Sequence, residues 1–278
     1  MPPFTLQSAS GDTRVGVLAT PAGDCAPELL RIEAWARDIG VEVVDLGTSA
    51  EAGSLPANSE LVIALGGDGT ILRALQLAMA NHAAVLGVNF GHVGFLADCG
   101  SDGLADALER IARGEAQVDE RTALVATLQM DSPRRLIAFN DVVVARVPGF
   151  GTARLRVEID GQAMLELTGD GVVVASPTGS TAYTVGAGGP AVAPTLDAIV
   201  LTPLASQGSP LRSLVVDGGD TVRIAGGPSS APLSIEFDGR MTVEVPASAS
   251  VEVHAAPRKA RLVRTRPRTF YADLADHL

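Results

Sequence analysis

The sequence predicts an N-terminal α/β domain, a parallel sheet covered by helices, followed by an all-β sandwich domain. Up to about residue 117, apolar runs of strand length alternate with segments whose apolar residues recur at helical spacing. From about Glu120 the pattern changes to short strands separated by Asp-Gly and Gly-Gly turns. Apolar residues three to four apart at the C-terminus add a last helix. The expected units are 1–117, 118–264 and 265–278.

Val15–Ala19 reads as the first buried strand, and Leu29, Leu30, Ile32, Trp35, Ala36 and Ile39 as one side of the first helix. Val41–Val44 and Leu61–Leu65 are strands two and three. A helix over Thr70–Met79 carries Ile71, Leu72, Leu75 and Met79 on one side. Ala84–Val88 is the next strand and Leu104–Ile111 the next helix. Such alternation gives a parallel sheet, and ligands collect beyond the carboxyl ends of its strands. Glycine segments follow both Leu65 and Val88, at those ends.

In the second half the expected strands are Leu124–Leu128, Leu136–Arg146, Leu155–Ile159, Val172–Ala175 and Ala198–Leu201. Leu211–Val216, Val222–Ile224, Leu233–Phe237 and Val251–His254 complete the set. Only Ser180–Val185 reads as helical there. Phe270, Tyr271, Leu274 and Leu278 mark the final helix, while Ala9–Asp12 and Gly226–Ser230 read as loops.

Composition narrows the function classes. Nearly half of the 278 residues are apolar but only 4% are aromatic, which suits a core of Val, Ala and Leu. A formal charge of −11 repels nucleic acid and anionic lipid, so neither nucleic acid nor membrane is an expected partner. No secretory pattern is visible, and no apolar run approaches the ~20 residues of a membrane span. A cytoplasmic location is expected, with Cys25 and Cys99 as reduced thiols. His82, His92, His254 and His277 share no metal-ligand spacing, so no protein-held metal is expected. Arg258, Lys259, Arg261, Arg264, Arg266 and Arg268 form the one basic run, read as a solvated strand.

The chemistry concentrates in glycine motifs. In Leu65-Gly66-Gly67-Asp68-Gly69-Thr70, an apolar strand runs into three glycines. Missing Cβ atoms let backbone approach a phosphate, which makes Gly66, Gly67 and Thr70 candidate phosphate contacts. Asp68 between them accepts a proton from a hydroxyl, holds Mg²⁺, or merely caps the helix. Further segments are Gly169-Asp170-Gly171, Pro177-Thr178-Gly179-Ser180-Thr181-Ala182-Tyr183-Thr184 and Gly186-Ala187-Gly188-Gly189-Pro190. Asn140-Asp141 opens a strand, and Phe237-Asp238-Gly239-Arg240 makes a turn. No GxxxxGK[ST] loop is present, so ATP is not held in the P-loop manner.

Together with Gly87-Val88-Asn89-Phe90-Gly91-His92-Val93-Gly94-Phe95-Leu96, these segments resemble the NAD kinase family, in the family's order. That family uses ATP to phosphorylate the 2′-hydroxyl of the adenosine ribose in NAD. The resemblance implies Asp68 as the proton acceptor and a backbone substrate contact at Gly69. It implies dinucleotide contacts at Asn140, Asp141, Asp170, Thr181, Ala182, Tyr183, Thr184 and Gly186, with Ala205 as a small pocket-lining residue. Arg240 and Arg73 are candidate phosphate contacts, each with a solvated arginine as the alternative. Two positions depart from the pattern: Asp141 stands where the family has Glu, and Thr168 where it often has a basic residue.

The resemblance also implies a site in the cleft between the domains, a last helix packed back on the first, and Mg²⁺ bridging the ATP phosphates. NAD and ATP, or polyphosphate, are the implied partners, in a homodimer or homotetramer. Two alternatives stay open. Lipid and polyol kinases also carry Gly-Gly-Asp-Gly but lack the Pro177–Tyr183 segment, and a non-catalytic NAD-binding sensor would share the fold.

Overall fold

The structure, a computed structural model, describes residues 1–6, 13–21, 25–91, 94–207, 211–267 and 269–277. Ala9–Asp12, His92, Arg268 and Leu278, singled out above, lie outside the described residues. The chain forms two compact units, Met1–Glu120 with Lys259–Leu278, and Arg121–Arg258.

The first unit begins with β1 (Pro3–Phe4), β2 (Arg14–Ala19), α1 (Ala26–Ile39), β3 (Glu42–Thr48) and β4 (Ser59–Leu65). It continues with α2 (Asp68–Asn81), β5 (Ala84–Asn89), β6 (Cys99–Gly100), α3 (Leu104–Ala112) and β7 (Ala116–Arg121). Strands β2 to β5 run parallel, as the α/β alternation predicts. Val15, Val17, Leu61, Ile63, Leu65 and Leu86 are fully buried in this sheet and meet Ile32 of α1 and Leu104 of α3. Burying each such side chain stabilises by about 1.5–3 kcal/mol before entropy is counted.

The second unit is all β apart from one short helical segment. Its strands are β8 (Leu124–Gln129), β9 (Arg134–Ala138), β10 (Asp141–Arg146), β11 (Ala153–Ile159), β12 (Gln162–Gly169) and β13 (Gly171–Ala175). After a 3₁₀ turn at Gly179–Thr181 and α4 (Tyr183–Gly186) come β14 (Ala198–Leu204), β15 (Leu214–Asp217) and β16 (Val222–Gly226). Strands β17 (Leu233–Phe237), β18 (Met241–Val245) and β19 (Ser250–Ala255) close the unit. Two six-stranded antiparallel sheets result, ordered β15-β14-β13-β10-β17-β18 and β12-β11-β16-β19-β8-β9. Their shared core includes Leu124, Val142, Val144, Val157, Val174, Ile224, Ile235 and Val253.

The chain then returns to the first unit with β20 (Ala260–Arg264) and α5 (Phe270–His277). The first sheet is eight-stranded, ordered β1-β7-β20-β5-β4-β2-β3, with β6 on β5. Residues 260–264, expected in the second unit, therefore belong to the first. Arg261 and Leu262 pair with Ala84 and Val85, and Leu262 and Val263 are fully buried.

Two other expectations are corrected. The single strand read over Leu136–Arg146 is two, β9 and β10, in different sheets. They part at Phe139–Asn140, where the Asp238 carboxylate accepts backbone N–H groups. On α5 it is Asp273 that is buried, whereas Tyr271 is 71% exposed.

Candidate active site

Strand β4 delivers Gly66 and Gly67, and α2 starts at Asp68, two residues earlier than its apolar spacing predicts. A Cβ on Gly66 would lie 2.6 Å from Thr70 Oγ1 and 2.9 Å from Thr20 Cβ, so only glycine fits. The Gly66 N–H donates to the Val88 carbonyl at 2.8 Å, and Thr70 is buried beneath the turn. Gly66 and Thr70 thus shape the motif from below. Gly67 and Gly69 are different: both are exposed, and a Cβ on either meets nothing within 4 Å. The fold does not demand glycine there, whereas a closely approaching ligand would.

Asp68 is half-buried at the start of α2. Gly94 is its wall: a Cβ there would sit 2.6 Å from both Asp68 carboxylate oxygens. Arg73, one turn along, donates to Ala52 O at 2.5 Å and to Gln76 Oε1 at 3.4 Å. Its guanidinium braces the segment between β3 and β4.

In the second unit, Asn140, Asp141, Ala182 and Tyr183 converge on one cavity of about 290 Å³, completed by Val143, Glu236, Asp238 and Gly239. Asn140 and Asp141 share it, although alternation along a strand would separate them, because Asn140 lies in the bend before β10. That bend is held on two sides. Asp238 Oδ1 accepts the N–H groups of Phe139 at 2.9 Å, Asn140 at 2.7 Å and Asp141 at 3.3 Å. From the other side, Ser176 N–H donates to the Asn140 carbonyl at 2.9 Å. A Cβ on Gly179 would come within 1.9 Å of that carbonyl oxygen, so the 3₁₀ turn presses directly on Asn140.

Asp141 is 4% exposed, and burial, with Asp238 and Glu236 nearby, pushes its carboxyl up to about 7. Tyr183 is 47% exposed and lines the cavity. The 3₁₀ turn and α4 meet at Ala182, whose φ of −94° and ψ of −116° break the single helix expected from Ser180 to Val185. Thr184 is fully buried, and Thr181 Oγ1 donates to the Thr178 carbonyl at 3.2 Å. Gly186 is exposed at the end of α4.

Asp170 and Ala205 form a separate group. Asp170 lies between β12 and β13, its N–H donating to the Leu204 carbonyl at 2.9 Å. Ala205 follows that carbonyl with a left-handed φ of 46°. The Asp170 carboxylate receives Arg146 Nε at 2.6 Å. A basic side chain therefore does reach Asp170, from β10 and not from position 168. Arg240 is exposed on the turn between β17 and β18.

Residues 139–265 match the profile described as ATP-NAD kinase C-terminal domain, and residues 48–116 the ATP-NAD kinase N-terminal domain. The NAD kinase of Moorella thermoacetica is 36% identical over 221 residues, covering 79% of this chain and 71% of that protein. The NAD kinase of Gemmatimonas aurantiaca is 34% identical over 243 residues, 85% of this chain and 83% of that protein. The chain belongs to the NAD kinase family. A crystal structure of yeast NADH kinase complexed with NADH shares the fold, with a TM-score of 0.80 over 95% of this chain and 87% of that one at 23% identity.

Within this NAD kinase family chain, sequence reasoning missed two residues that build the site. Asp238 belongs to the Phe237–Arg240 segment, and an aspartate followed by glycine after a strand signals a carboxylate turned toward backbone N–H groups. Gly94 lies in the glycine segment after β5, and nothing in the local sequence shows that it faces Asp68. Among the described residues, no group of three or more His, Cys, Asp or Glu side chains is arranged to hold a metal ion, and no helix is long and apolar enough to cross a membrane.

Proposed function

We propose that this chain transfers the γ-phosphoryl group of Mg-ATP to the 2′-hydroxyl of the adenosine ribose of NAD, giving NADP and ADP. The observation that carries this reading is the Asp68 carboxylate, walled by Gly94 and flanked by two glycines open to a ligand. The ribose oxygen forms its bond to the γ-phosphorus as the bond from that phosphorus to the bridging oxygen breaks. The bridging oxygen keeps the electron pair and leaves as ADP, and the hydroxyl proton passes to Asp68. The cation enters with ATP as part of the substrate and neutralises phosphate charge.

The second-unit cavity holds the dinucleotide in this reading. Tyr183 offers a ring face to a base, and Asn140 offers donor and acceptor to a base edge or amide. Asp141, its carboxyl pushed up to about 7 by burial, adds a hydrogen bond with less repulsion toward an anionic ligand than an ordinary aspartate. Asp170 accepts from ribose hydroxyls, with Arg146 fixing its carboxylate. The same reading expects a cytoplasmic dimer or tetramer, which light scattering tests for assembly.

The deciding experiment incubates the purified chain with Mg-ATP and NAD and measures NADP. Replacing ATP by polyphosphate, and NAD by NADH, assigns donor and acceptor. NAD binding without turnover would favour the sensor, and phosphate transfer to a lipid or sugar alcohol the rival kinase.

A further inference from the structure

We infer that Arg264, at the end of β20, is a positioning residue that holds the wall behind the Asp68 carboxylate. The inference rests on Asp68 being the proton acceptor. Arg264 belongs to the basic run that the sequence reads as solvated, yet it is only 5% exposed. Its Nη1 donates to the carbonyls of Leu96 at 3.1 Å and Ala97 at 2.8 Å, and its Nη2 to that of Phe95 at 3.1 Å. Asp119 lies 3.5 Å from its Nε.

The next residue continues the clamp. Thr265 donates its N–H to Asp98 Oδ1 at 3.1 Å and its hydroxyl to Asp98 Oδ2 at 2.5 Å. Asp98 N–H in turn donates to the Gly87 carbonyl of β5 at 2.8 Å. Arg264 at the end of the returning strand and Thr265 just after it therefore fix four consecutive residues, Phe95 to Asp98. The residue just before them is Gly94, whose Cα faces both carboxylate oxygens of Asp68.

Burying a guanidinium is costly unless its donors are satisfied, and here three carbonyls of one loop do so. A lysine ammonium is a point charge and does not reproduce this fork. Loosening the fork frees Gly94 to shift by a fraction of an ångström, and the carboxylate that rests on it shifts as well. A misplacement of that size lowers the chemical step while leaving ground-state dinucleotide contacts in place.

The test compares Arg264→Lys, Arg264→Met, Gly94→Ala and Asp68→Asn in the full chain with Mg-ATP and NAD. Arg264→Lys should lower kcat by about 10- to 10²-fold, with KM for NAD changed less than about twofold. Gly94→Ala keeps the guanidinium and moves the same wall, so it should show the same split even if an Arg264 variant folds poorly. In an Asp68→Asn background, Arg264→Lys should add nothing to the loss. A lower melting temperature with unchanged kcat per folded molecule, or a further fall in the Asp68→Asn background, would overturn the positioning role. Full activity of Asp68→Asn would instead overturn the reading of Asp68 itself.

Discussion

The carboxylate of Asp238 receives the backbone N–H of Asn140 at 2.7 Å across 98 residues of sequence. With Phe139 and Asp141 donating to the same oxygen, the turn after β17 sets the corner from which Asn140 and Asp141 enter their cavity. Asp238 does this from a left-handed φ of 50°, which aspartate tolerates better than most residues. Asp238→Asn replaces one acceptor oxygen by a donor facing backbone donors. The expected cost is about 1.5–3 kcal/mol, the worth of hydrogen bonds to a charged group, read by denaturant unfolding. In the proposed function, KM for NAD rises more than kcat falls.

Asp68→Asn keeps the shape of the side chain and removes its basicity. The expected result is a kcat lower by about 10²–10⁴, the usual worth of a general base. Melting temperature should change little, because asparagine keeps the volume of the side chain and the residue is only half-buried. Full activity in a coupled NADP assay would sink the proposed role.

The two glycines before Asp68 should separate fold from function. Gly66→Ala drives a Cβ into Thr70 and Thr20, and overpacking of this kind costs about 1–3 kcal/mol. Gly67→Ala meets open space at an ordinary φ of −74°. Its stability loss should stay within about 1 kcal/mol, the N-cap preference for Gly over Ala. In the proposed function turnover should nonetheless fall about tenfold or more, because there the methyl group would occupy space that the phosphate needs. Paired thermal melts and kinetics on the two variants decide it.

Asp141 makes stability depend on pH. Its native carboxyl titrates near 7 against an ordinary 3.8, so the folded state holds the proton more tightly than the unfolded chain. Stability from this group is complete below about pH 4 and is lost as pH rises to about 7, at up to roughly 1.4 kcal/mol per pH unit. Asp141→Asn removes the dependence. The melting temperature of the variant should therefore gain on the parent between pH 4 and 7 and run parallel above that range. A constant difference from pH 4 to 8 would contradict the assignment.

Much of the site was legible because its signals are local. An apolar run ending in Gly66-Gly67-Asp68-Gly69 announces a strand, a turn and a helix start whatever surrounds it. The Pro177–Thr184 segment and the change of period near Glu120 are equally local. Strand β12 was not anticipated because its residues from Gln162 to Met164 are exposed and Glu166 faces outward, leaving little apolar alternation.

By itself the sequence determined the fold class, an α/β part followed by a β-sandwich part, and the family. Only the tertiary structure decided what supports those residues. Gly94 behind Asp68, Asp238 beneath Asn140 and Arg264 inside the first unit are contacts between segments distant in the chain. Hydrogen bonds from a buried guanidinium or carboxylate to backbone leave no periodicity to read. They depend on where the partner strand passes, which packing alone sets.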